Sequence, residues 1–269
     1  MPTCSLLPPE NGEDQSSHDR HVERMKTEWK EQKHPSKQLT KSLMKRSYPL
    51  RRKTIMDKVI PVPQLLKEYP GLRDPDELIR EFSRVISREI LPSVKDEWVK
   101  MVSKIIEVSR DETEGEPVID QLFEDFGIEL MEEDLGVQTI VAICCIYRLV
   151  PDPRIRVDLS KVVTFVDDGS TEDVVKQLPM AQPCIVVKRD EENKLQSALV
   201  VERSILCVVP PELAAIHLLG AFNIFYMHYT EGCSNFYAAL ESILLGCNKP
   251  GRKTRLAAFL GRLGYSNEE

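Results

Sequence analysis

The stretch Ser197–Tyr229, SALVVERSILCVVPPELAAIHLLGAFNIFYMHY, decides how this chain folds. In its first half Ala198, Leu199, Val200 and Val201 precede Ile205, Leu206, Cys207, Val208 and Val209, with Glu202, Arg203 and Ser204 between the two runs. Branched side chains suit a pleated surface, and apolar runs this short predict strand buried on both faces. Pro210 and Pro211 close the strand, because a ring nitrogen has no hydrogen to give a ladder. Pro211 also fits the first turn of a helix, and Glu212 suits its positive end. Leu213–Tyr229 is apolar on nearly every side, which predicts a central helix enclosed by protein. A membrane span is the weaker alternative, since the run only just reaches bilayer length and holds His217, Asn223 and His228.

Around this centre the C-terminal half reads as a small sheet with helices. Strand is predicted at Val162–Val166 and Ile185–Val187, and a short helix at Thr171–Leu178. Asp190 to Lys194 is a charged hairpin turn. Ser234–Leu245 and Thr254–Leu263 are amphipathic helices. Val137–Val150 is rich in β-branched residues, as a strand would be, but its length decides for helix. The fold class is α+β: a mostly helical chain whose C-terminal half carries a small antiparallel or mixed sheet, covered on one face and packed against the apolar central helix.

The N-terminal half is organised by charge. Residues 1–19 are polar, with Pro8, Pro9 and Gly12, and predict a disordered tail. From Arg20 to Lys58 thirteen basic residues face Glu23, Glu28, Glu31 and Asp57 alone. That basic segment, residues 20–58, predicts two short helices up to Ser47, separated by Pro35, with Ser36 capping the second. A helical region follows over 59–110. Pro63 starts a short helix carrying Leu65 and Leu66, and Pro70-Gly71 ends it in a turn. Asp74, Pro75 and Glu77 then spell a capping box for a helix buried through Leu78, Ile79, Phe82, Val85 and Ile86. Ser93–Ser109 is a further helix. Residues 111–135 form an acidic linker with a short helix at Pro117–Phe123, and 136–269 form the α+β core. From Glu107 to Asp134, Arg110 is the one basic residue among many carboxylates. Such asymmetry concerns partners rather than fold.

The net charge of −7 and apolar fraction of 42% are those of an ordinary globular protein. The seven cysteines show no disulfide framework, Met1–Asp19 has no signal-peptide core, and no Asn-x-Ser/Thr sequon occurs. A reducing compartment, cytoplasmic or nuclear, is therefore expected. Chemistry-bearing motifs fail on context. Gly246–Thr254 nearly spells a phosphate-binding loop, but Arg252 occupies the place of the lysine and the flanking pattern is helical. His217, His228 and Cys233 lack metal-ligand spacing, and His217 reads as a core histidine. No cofactor and no catalytic group are expected, so the chain is read as a non-enzyme.

One resemblance emerges. The run from Leu43 to Ile55, LMKRSYPLRRKTI, then Ile60–Leu72, IPVPQLLKEYPGL, and Glu81-Phe-Ser-Arg-Val, resembles the sterile alpha motif domain-containing protein 3-like family of vertebrates, numerous in fish. Its members carry an Arg-Arg-Lys/Arg run after a basic helix, a leucine pair before a Tyr/Trp-Pro turn, and a Glu-Phe helix. The C-terminal pieces LVVERSIL from Leu199, FNIFY from Phe222 and YAALE from Tyr237 are similar to the same family. The likeness spans roughly Arg20 to Gly264. The family's sterile alpha motif is expected to be missing, and the resemblance brings no catalytic residues with it.

Two functions stay open. The protein is an interaction module that docks a protein partner, with no membrane involved. Alternatively, the basic segment binds nucleic acid, with Arg46, Arg51, Arg52 and Lys53 neutralising phosphates and Tyr48 stacking on a base. The acidic stretch of the same chain is a third occupant for the basic patch.

Overall fold

The computed structural model describes residues 14–58, 60–90, 93–112, 134–153, 158–166, 170–192, 194–246 and 254–265. The chain divides into two compact units, Met1–Glu89 with Gly220–Met227, and Ile90–Leu219 with His228–Glu269. The α+β class is as the sequence indicates.

The smaller unit begins with helix α1, Gln15–Glu31, so the tail expected to be disordered to residue 19 is helical from Gln15. The reason is local: the Asp14 carboxylate accepts from the Ser17 amide while the Ser17 hydroxyl accepts from the Asp14 amide. This reciprocal cap satisfies donors the first turn leaves open. Helix α2, Lys37–Asp57, is capped by Ser36 as predicted, but it does not stop near Ser47 and runs on through Pro49. Helix α3, Val62–Glu68, leads into a 3₁₀ turn at Pro70–Arg73. A Cβ on Gly71 would lie 2.8 Å from Met44 Cγ, which is why this turn takes glycine. Helix α4, Pro75–Ile86, buries Leu78, Ile79, Phe82 and Val85, while Ile86 is half-buried.

The Asp74 carboxylate accepts from the Glu77 amide at 3.1 Å, but the Glu77 side chain goes to Arg80 and Arg84. Only half of the expected box is therefore made. Asp74→Ala is expected to cost about 1 kcal/mol, the usual loss at an N-cap. An unchanged urea midpoint would remove the cap from the account of α4.

In the larger unit α5, Ser93–Glu112, packs on α6, Leu135–Leu149, and Trp98 Nε1 donates to Thr139 Oγ1 at 3.4 Å. Ile140 through Ile146 are buried without a break, so α6 is enclosed on all sides despite its β-branched content. The short helix expected at Pro117–Phe123 lies outside the described residues. The sheet has strands β1 Val163–Val166, β2 Cys184–Arg189, β3 Leu195–Val201 and β4 Ser204–Val209, in that spatial order. β1 and β2 are parallel and the other pairs antiparallel, which makes the sheet mixed. Helix α7, Thr171–Gln177, forms the crossover, and Val175 covers Val166, Cys184, Val186 and Val200.

One expectation is corrected here. The sheet is not covered on one face only, since Cys184, Ile185, Val186 and Val187 are consecutive and all buried, and alternate side chains of a strand point to opposite faces. Glu202 and Arg203, between the two apolar runs, are the corner of a tight hairpin at φ +50° and +57°. Two-residue hairpin turns require this left-handed backbone, usually from Asn-Gly. Here Arg203 Nε donates to the Leu178 carbonyl at 2.8 Å and the Glu202 amide to Ala181 O at 2.7 Å, and these bonds hold the corner.

The central helix, α8, spans Ala214–Ile224 after a 3₁₀ turn at Pro211–Leu213, and is thus shorter than the predicted Leu213–Tyr229. Tyr226 adopts φ +54° and the Met227 amide reaches back to Phe222 O at 2.9 Å, a left-handed stop that no glycine announces. Helices α9, Ser234–Leu245, and α10, Arg255–Arg262, complete the larger unit. The Asp152 carboxylate accepts from the amides of Ser234 and Asn235 at 2.8 and 2.9 Å, capping α9 from a distant loop. Lys104 Nζ donates to Leu263 O at 2.9 Å, beside the end of α10.

Candidate interaction surface

The basic segment is built around a proline that should break its helix. Pro49 has no amide hydrogen for the Lys45 carbonyl, and its ring crowds that carbonyl. Side chains supply donors in the same turn. Ser47 Oγ donates to Leu43 O at 2.8 Å, and Arg51 Nη2 donates to Met44 O at 2.9 Å. The same guanidinium donates through Nη1 to Ser47 Oγ at 2.5 Å and forms a fork on Glu81, Nε to Oε1 at 2.9 Å and Nη2 to Oε2 at 2.6 Å. Arg51 lies over the rings of Tyr69 and Tyr48 at 5.3 and 5.9 Å. It is wholly inaccessible to solvent.

From Glu81 the charges continue along α4. Arg84 Nη1 donates to Glu81 at 2.7 Å and its Nη2 to Glu77 at 2.6 Å, while Arg80 donates to Glu77 at 3.0 Å. Burial pushes the Glu81 carboxyl up, but Arg51 and Arg84 pull harder, and it stays below the ordinary carboxylate range. Glu77 shares Arg84 and otherwise meets the more exposed Arg80, so there burial wins and the carboxyl is raised. Burial alone would depress Arg84, yet the two carboxylates raise it. Arg52 has a different task. Its Nη1 donates to the carbonyls of Asn223 and Ile224 at 3.0 and 2.9 Å, two acceptors that the end of α8 leaves open. Its guanidinium also lies 5.6 Å from the Tyr226 ring centre.

The five residues proposed from sequence therefore fall into two sets. Arg46 and Lys53 are exposed on α2. Tyr48, Arg51 and Arg52 are buried, where a phosphate or base has no access, and their role is to hold the unit together. Helical spacing separates the sets, because Leu43, Met44, Ser47, Tyr48, Arg51, Arg52 and Ile55 recur at three- and four-residue spacing as the buried stripe, and Arg46 and Lys53 lie off it. Glu81, buried on α4 together with Glu77, supplies the counter-charge that the buried Arg51 needs. What α2 presents to solvent is Lys37, Lys41, Lys45, Arg46 and Lys53. Lys37 meets Asp76 of α4 at 3.0 Å, and on α1 Lys26 meets Glu68 at 2.7 Å and Glu23 at 3.0 Å.

Elsewhere the chemistry is that of a core. His217 is buried and its Nδ1 lies 3.0 Å from Leu213 O, whereas His228 is exposed. Burial pushes the thiol of Cys184 up to about 12 and those of Cys145 and Cys233 to about 11. Among the described residues no three His, Cys, Asp or Glu side chains are grouped to hold a metal ion. No helix among them is long and apolar enough to cross a membrane. Gly246 ends α9 at φ +62° and Thr254 Oγ1 caps α10, while residues 247–253 between them lie outside the described residues.

Residues 19–74 match the family model described as sterile alpha motif domain-containing protein 3, helical domain. The matched span runs from within α1 through the 3₁₀ turn after α3, and so includes Arg51, Arg52 and Tyr69. No curated protein and no solved structure matches the chain.

Proposed function

We propose that this chain, whose residues 19–74 match the helical-domain model of sterile alpha motif domain-containing protein 3, is a non-enzymatic module that docks a protein partner through the exposed face of its basic helices. The observation that carries this is the division of labour along α2. The two arginines best suited to forked phosphate contacts are inside the fold, and the aromatic ring available for stacking is inside with them. The cations that remain outside stand on a helix fixed by the Arg51–Glu81 pair, which is how a rigid element presents a recognition face. Buried free thiols at Cys144, Cys145, Cys184, Cys207 and Cys233 support residence in the cytosol or nucleus.

The reading is tested by placing a photo-reactive residue at exposed Ser42 and irradiating cells that express the full chain. Adducts of defined protein mass that survive nuclease treatment are the expected result. Adducts that disappear with nuclease would transfer the function to nucleic-acid binding. A chain that cross-links to nothing at Ser42 and at Gln38, also exposed, would end the interaction-module reading for this face.

A further inference from the structure

We draw no further inference here: the strongest candidate, the edge of the sheet at β4 where Val208 is exposed, is an apolar surface for which nothing in the structure shows what covers it.

Discussion

Glu81→Ala is expected to destabilise the smaller unit by about 3–5 kcal/mol, the cost of leaving a buried guanidinium without its counter-charge. Arg51 has no route to water, since its side chain is fully inaccessible, and Glu81 provides both acceptors of its fork. The loss extends into α2. Without Glu81 the guanidinium is no longer fixed where it donates to Ser47 and to the Met44 carbonyl, and the turn before Pro49 loses those bonds. The urea midpoint of Glu81→Ala against wild type is the measurement. A companion variant, Arg51→Met with Glu81→Met, removes both charges and should recover much of the loss, since a buried pair is often replaced by apolar residues at small cost. Recovery will stop short of complete, because the Arg51 bonds to Ser47 and to the Met44 carbonyl are then lost. A Glu81→Ala midpoint within about 1 kcal/mol of wild type, the range of an exposed pair, would show that the network is not what holds α2 to α4.

Phe222→Ala should cost about 3–5 kcal/mol, as large-to-small changes in a packed core do. Phe222 is 2% exposed on a helix buried along its length, and its carbonyl accepts the Met227 amide that turns the chain out of α8. The neighbourhood is tight. A Cβ added at Gly220 would stand 3.1 Å from Phe82 Cδ1, so the packing around this helix has little room to collapse into a cavity. Urea denaturation again reads the effect. A loss under about 1 kcal/mol, the level of a surface change, would mean that α8 is not the core element assigned to it.

Much of this architecture is legible in the residues. Apolar runs with β-branched content give β3 and β4, the capping signals Ser36 and Asp74 start their helices where predicted, and length decides α6 correctly against a strand-like composition. What is missed shares a cause: backbone conformations stabilised by partners distant in sequence. Tyr226 stops α8 in a left-handed geometry that usually takes glycine, and the helix-ending carbonyls just before it are met by Arg52, some 170 residues earlier. The Glu202–Arg203 corner is hidden in the same way, since its support comes from Leu178 and Ala181. The helix α2 also runs past Ser47 and through Pro49, into a turn where Arg51 pairs with Glu81 thirty residues on. The candidate surface follows suit. Basic residues are visible as a run, and helical spacing places Arg51 and Arg52 on the buried stripe, but the carboxylate that Arg51 meets stands thirty residues on.

The Arg51–Glu81 fork also makes a statement about inheritance. Two positions on different helices are bound into one choice: a lineage that loses either charge alone passes through a chain with an uncompensated ion in its interior, while one that exchanges both at once escapes the penalty. Among relatives, positions 51 and 81 should thus be kept or lost together, and the intermediate pairings should be rare.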